Sequence, residues 1–222
     1  TAIPELLKLL SLKGCTVTID AMGCQKEIAA EIREAKAHYV LAVKENQPNL
    51  YEDLVEHFEG VLESEESLPA QQRHTTEEKG HGRLEQRFYY STPVPDTLRN
   101  REAWRDIKSV ACAINNTLRE GRETGLVRYF ISDLKPDAKS LGKAVRKHWG
   151  IENGQHWVLD VTFREDLARV RKGHGARNMA VVRHFAVNIV RTASDKRSLK
   201  TRRKLAGWDP NYLATLLRPS TR

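Results

Sequence analysis

At 222 residues, 40% of them hydrophobic, the chain can bury one sizeable core, and no apolar run approaches the roughly 20 residues that a membrane-spanning helix needs. A net charge of +8 and a pI near 9.5 favour a nucleic acid or other anionic partner. Three cysteines, Cys15, Cys24 and Cys112, form no Cys-x-x-Cys pair and cannot all be bridged within the chain, which fits a reducing cytoplasm.

In chain order, residues 3 to 12 read as a helix with Pro4 in its first turn and Lys13-Gly14 as its stop. Residues 15 to 19 are β-branched and read as a strand ending at Asp20. A second helix over 25 to 37 carries an apolar stripe of Ile28, Ala29 and Ile32, and residues 38 to 43 make another short strand. This strand–helix–strand unit predicts a parallel crossover, whose chemistry sits at the C-terminal ends of its strands. Asp20 lies at one such end and Lys44 at the next. Asp20 reads equally as a helix cap, a solvated turn acid, a metal ligand or a general base.

After a turn at 45 to 49, Leu50, Leu54, Phe58 and Leu62 recur at helical spacing, with the surrounding carboxylates as a solvated face. Residues 64 to 78 are polar and read as loop. The period then becomes two, predicting strands over 84 to 92, 107 to 118 and 125 to 134, with Arg119-Glu-Gly-Arg as a hairpin turn. Arg83, Glu85 and Arg87 fall on one face of the first of these, as a surface salt-bridge ladder or an anion-binding edge. Residues 137 to 149 are helical, with Leu141, Val145 and Ala144 inward. A helix over 178 to 192 places Met179, Val182, Phe185, Ala186, Ile189 and Val190 at core spacing. Residues 196 to 204 are basic and read as flexible, and Trp208-Asp-Pro opens a last helix.

Charge is distributed unevenly. From Arg164 onward the chain carries fifteen Lys or Arg against four Asp or Glu, leaving the first 163 residues at −3. Just before and into this basic part, residues 146 to 171 crowd charged, aromatic and amide side chains together. On an α-helix, His148, Glu152, His156 and Asp160 would climb one face that could hold a metal, while Trp149 and Trp157 read as core packing. Gly150 and Gly154 predict a bend, or the close approach of another backbone or of a nucleic-acid strand. No phosphate-binding loop, dinucleotide fingerprint, His-Glu-x-x-His pattern or Gly-x-Ser-x-Gly elbow is present.

Five strings point to one family. VTIDAMGCQ at 17–25, YVLAVKENQP at 39–48, HGRLEQR at 81–87, HWGIENGQHWVLDVTFRED at 148–166 and NMAVVRHFAVNIVR at 178–191 resemble the DDE transposases of bacterial insertion sequences, most closely their H-repeat-associated branch. The resemblance implies an α/β fold: a partial ribonuclease-H-like core, a mixed sheet with flanking helices, plus an antiparallel β insertion and a helical C-terminal tail. The corresponding divisions are 1–44 (core sheet and crossover helices), 45–136 (acidic helix and insertion), 137–171 (catalytic helix region) and 172–222 (basic tail).

Carried over residue by residue, the resemblance makes Asp20 the second and Glu152 the third of three carboxylates that bind two Mg²⁺ or Mn²⁺ ions. The first carboxylate has no match, and the chain is expected to be truncated at its N-terminus. The Tyr-x2-Arg-x3-Glu-x6-Lys signature of wider relatives is replaced at three positions by Val145, His148 and Leu159. Lys44, Arg83, Arg87, Arg146, His148, His156, Arg169 and Arg171 are the candidate DNA-binding residues. The implied activity is cleavage and strand transfer on double-stranded DNA, at transposon ends and target, by a cytoplasmic homodimer. Two other readings stay open: a divalent-metal nuclease without strand transfer, and a noncatalytic DNA-binding remnant.

Overall fold

The structure, a computed structural model, describes residues 2–80 and 82–218, with the backbone alone at positions 152 and 153. His81 of the HGRLEQR string lies outside the described residues. The chain divides into two compact units, residues 1–148 and 149–222.

The first unit is built on one six-stranded sheet, in the order β1 (Thr16–Ile19), β2 (His38–Val43), β6 (Arg122–Ser132), β5 (Ser109–Arg119), β4 (Arg83–Pro93) and β3 (Arg73–Gly80). Among the described residues only β1 and β2 are parallel, and β6 returns antiparallel to β2. The antiparallel strands expected as an insertion therefore continue the crossover sheet, hydrogen bond by hydrogen bond. β3 corrects the reading of residues 64 to 78 as loop. Its sequence, RHTTEEKG, has no apolar alternation because it is an edge strand, held by its ladder to β4 along its full length.

Side chains alternate across the sheet, so its two faces have different tasks. On one face Leu41, Val43, Val110, Cys112 and Ile131 pack against Ile28 and Ile32 of α2 (Lys26–Glu34) and against Leu50, Leu54 and Phe58 of α3 (Pro48–Glu63). Both apolar stripes expected from helical spacing lie there, buried except for Leu62, which is half-buried. Leu7 of α1 (Ala2–Leu9) completes this core.

On the other face lies α4 (Ala138–Ile151). Its Leu141 and Val145 are buried as expected, and Gly142 permits a close approach: a Cβ there would sit 3.0–3.3 Å from the ring carbons of Tyr89. Beneath α4, Glu85 and Arg87 are buried and paired with each other. Arg83 pairs with Glu85 at 2.7 Å, Arg87 with Glu78 at 3.1 Å, and Arg146 of α4 with Glu78 at 3.1 Å. The ladder foreseen at the surface thus runs under the helix for much of its length. Glu120 and Gly121, both at positive φ (51° and 76°), make the two-residue turn between β5 and β6.

A charged network anchors the start of β2. Asp133, fully buried, accepts from the Tyr39 N–H at 2.7 Å and pairs with Arg33 at 2.8 Å and His38 Nδ1 at 2.6 Å, while Arg33 also reaches Asp106.

In the second unit, α-helical bonding ends at Ile151 and two π-helical turns follow, Glu152–His156 and Val158–Thr162. A π turn bonds i to i+5, so the four-residue spacing of the positions from 152 to 160 no longer defines one face, contrary to the α-helical reading. Among the described residues, neither Gly150 nor Gly154 has an atom within 4 Å of where a Cβ would stand. Val158 and Leu159 pack on Val187 of α5 (Gly175–Thr192). That contact turns α5 so that Val182 and Phe185, expected in the core, are exposed, while Val190 is buried as expected and Val187 is buried in addition. Residues 196 to 204, expected to be flexible, fall largely in α6 (Leu199–Trp208), capped by Ser198, whose hydroxyl accepts from the Thr201 N–H. α7 (Pro210–Leu217) follows directly, capped by Asp209. Among the described residues no helix is long and apolar enough to cross a membrane.

Candidate functional site

Asp20 stands at the C-terminal end of β1, where the crossover reading put it. The backbone there is shaped by two features of the surrounding motif. Gly23 follows in a single 3₁₀ turn, and a Cβ on it would lie 2.4 Å from Ile19 Cγ2, so only glycine lets the chain fold back this tightly over β1. The loop is then fastened from the end of β2. Asn46 Nδ2 donates to the Ala21 carbonyl at 2.7 Å, and Gln47 Nε2 donates to the Cys24 carbonyl at 2.9 Å. The Asn-Gln pair after Lys44 is therefore structural, a role that spacing alone did not reveal.

Asp20 is the residue that begins this turn, yet its carboxylate makes no capping hydrogen bond. Its side chain is 61% exposed, with His148 Nε2 of α4 3.4 Å from Oδ1. His148 Nδ1 lies 3.1 Å from Thr18 Oγ1, so the imidazole joins α4 to the last turn of β1. Arg128, on the same sheet face, feels Asp20 as well: burial lowers the guanidinium's pKa, and the carboxylate opposes that shift. Lys44, exposed, sits at the end of the neighbouring parallel strand. An uncapped, solvent-facing carboxylate at a strand end is a hard oxygen donor and fits a hard divalent cation that retains water ligands. No three of His, Cys, Asp and Glu among the described residues are grouped to hold a metal by themselves. The Glu152 side chain lies outside the described set.

The remaining candidates fall into two groups. Arg83, Arg87 and Arg146 share the carboxylates of Glu78 and Glu85. His156, Arg169 and Arg171, in the second unit, are exposed. Trp157, expected to pack in the core, is 56% exposed. Thiol chemistry has no support in the interior, since burial pushes both Cys24 and Cys112 up to about 12.

A mixed sheet flanked by helices, with an available carboxylate at the end of its parallel pair, is compatible with a polynucleotidyl-transfer domain, and comparison identifies the class. The family described as Transposase DDE domain matches residues 1–189, and the chain belongs to it. A protein named "Putative transposase YncI" from Escherichia coli O157:H7 is 38% identical over 222 residues, covering 98% of this chain and 56% of that protein. "H repeat-associated putative transposase YhhI" from Escherichia coli (strain K12) is 37% identical over 223 residues, 98% of this chain and 58% of that protein. The chain thus spans little more than half the length of the curated relatives it matches. No solved structure matches it.

Proposed function

We propose that the chain forms the catalytic part of a DNA transposase with a ribonuclease-H-like core, in which Asp20 and Glu152 are two of three metal-binding carboxylates. The first of the three has no match within these 222 residues, which span 56% of the length of one relative. The observation that carries this reading is the uncapped, 61% exposed carboxylate of Asp20 at the end of a parallel strand. Mg²⁺ or Mn²⁺ bound there would activate a water or 3′-hydroxyl and stabilise the departing oxygen of a phosphodiester.

The chain's own residues position the rest. His148 restrains Asp20 from the α4 side, and the Asn46 and Gln47 tethers keep the following loop from drifting. Lys44, Arg169 and Arg171 are exposed, and among the described residues none has a carboxylate at ion-pairing distance, so they suit contacts to phosphate. Arg83, Arg87 and Arg146 add positive potential to the same partner through charges partly balanced by Glu78 and Glu85, and the exposed His156 is a further contact to it. Double-stranded DNA, at transposon ends and at the target, is the proposed substrate, handled by a homodimer in the cytoplasm.

The test uses the longest reading frame that contains these residues and a duplex carrying the ends of its element. Mg²⁺- or Mn²⁺-dependent nicking and strand-transfer products are expected. Asp20→Asn and Glu152→Gln should each lower nicking by about 10³-fold at unchanged melting temperature. Undiminished nicking by Asp20→Asn refutes the assignment, and nicking without strand transfer leaves a nuclease.

A further inference from the structure

In the second unit, α6 lines a shallow cleft of about 370 Å³ with Arg197, Lys200, Thr201, Lys204, Leu205 and Trp208. The cations in it differ from the other basic residues nearby. Arg202, on the opposite side of α6, is buried, bonded to Asp195 and to the Val190 carbonyl, so its charge is met internally. Lys200 and Lys204 are exposed, and among the described residues neither has a carboxylate at ion-pairing distance. One turn apart, they repeat positive charge at about 6 Å along the axis. Arg197 extends the row at the mouth, with its guanidinium over the Tyr212 ring at 5.5 Å and Asp195 at 3.5 Å.

Trp208 closes the cleft and is 76% exposed, with the Lys204 ammonium 5.9 Å from its ring centroid. An indole left this open beside two unmet lysines is poorly suited to an apolar protein partner, which would strip water from both charges without replacing it. A ligand with regularly spaced negative charges and a flat ring satisfies both features.

We propose that this face of α6 binds an unpaired DNA strand, with its phosphates on Lys200 and Lys204 and one base stacked on Trp208. A duplex offers the phosphates but keeps its base faces stacked inside, leaving the indole without a partner. The proposal rests on the transposase reading only in taking DNA as the nucleic acid.

Fluorescence anisotropy of the 222-residue chain tests it, using a labelled oligodeoxynucleotide of about twenty residues, single-stranded or annealed, in EDTA over a range of salt. The single strand should bind more tightly than the duplex. Trp208→Ala should weaken the single strand about tenfold while leaving the duplex and the salt slope unchanged, and Trp208→Phe should restore most of the loss. Lys200→Gln/Lys204→Gln should weaken both forms and flatten the single-strand salt slope by about 1.4. That double variant, on a solvated face, carries the test if Trp208→Ala lowers the melting temperature. Parental single-strand affinity in Trp208→Ala at parental stability overturns the proposal, as does parental affinity and salt slope in the lysine variant. Because EDTA removes divalent ions, intact binding beside failed nicking counts only against Asp20 and Glu152.

Discussion

His148 Nε2 lies 3.4 Å from Asp20 Oδ1. The same ring reaches Thr18 through Nδ1, so one side chain from α4 meets two residues at the end of β1 and fixes where the proposed catalytic carboxylate stands. His148→Ala should therefore cost about 1 kcal/mol in urea unfolding, the usual loss for a partly buried hydrogen-bonded contact. In the nicking assay it should lower the rate more than the affinity for DNA. Equal losses in both would make His148 a phosphate ligand instead of a positioning residue.

Gly23 should tolerate no side chain. A methyl group at 2.4 Å from Ile19 Cγ2 and 3.0 Å from Ile3 Cδ1 forces the turn or the strand to move. Gly23→Ala is expected to destabilise the first unit by about 1–3 kcal/mol, as overpacking does. Thermal melting measures it. Combined with Ile19→Ala, the two losses should be less than additive, since the second substitution removes the obstructing atom.

Asp133 offers the sharpest stability prediction. Asp133→Ala would leave Arg33 facing a buried gap beside His38 and the unbonded N–H of Tyr39. The expected loss is about 3–5 kcal/mol, the range for removing one partner of a buried pair. Urea denaturation of the purified variant decides it, and a loss below about 1 kcal/mol would mean that water replaces the carboxylate.

Acid should act on the helical unit through Asp195. The Tyr212 hydroxyl, then the Arg197 N–H and the Arg202 guanidinium, hold its pKa down from 3.8 to about 2. The folded form thus binds this proton less readily than the unfolded chain does. The associated stability is fully present above about pH 4 and is lost as pH falls toward 2. Amide protection in α6 and α7, corrected for intrinsic exchange, should decline across that window in the parent and lose this pH dependence in Asp195→Asn.

The parts of this fold that could be read in the sequence are those in which apolar period and burial agree. Ile28, Ala29 and Ile32, and likewise Leu50, Leu54 and Phe58, face the core because a helix lying on a sheet must bury one stripe. β3 escaped because an edge strand is held by backbone ladders, which carry no apolar signature. The core face of α5 was misjudged because apolar residues occur on several of its sides, and only contact with Val158 and Leu159 selects among them. At the site, Asp20 could be located from its strand, but its contact with His148 joins residues 128 positions apart, which no local pattern encodes. The turn from α- to π-helical bonding after Ile151 likewise has no counterpart in residue spacing.

The two margins of the sheet are finished differently. β3 borders solvent with Arg, His, Glu and Lys, charges that discourage a stray strand from docking. β1, at the other margin, is Thr-Val-Thr-Ile, β-branched and uncharged, with one row of its amides and carbonyls turned away from β2. Among the described residues β1 thus ends the sheet on an uncharged border immediately beside Asp20, so any polypeptide segment pairing with it would become a wall of the same chemical centre.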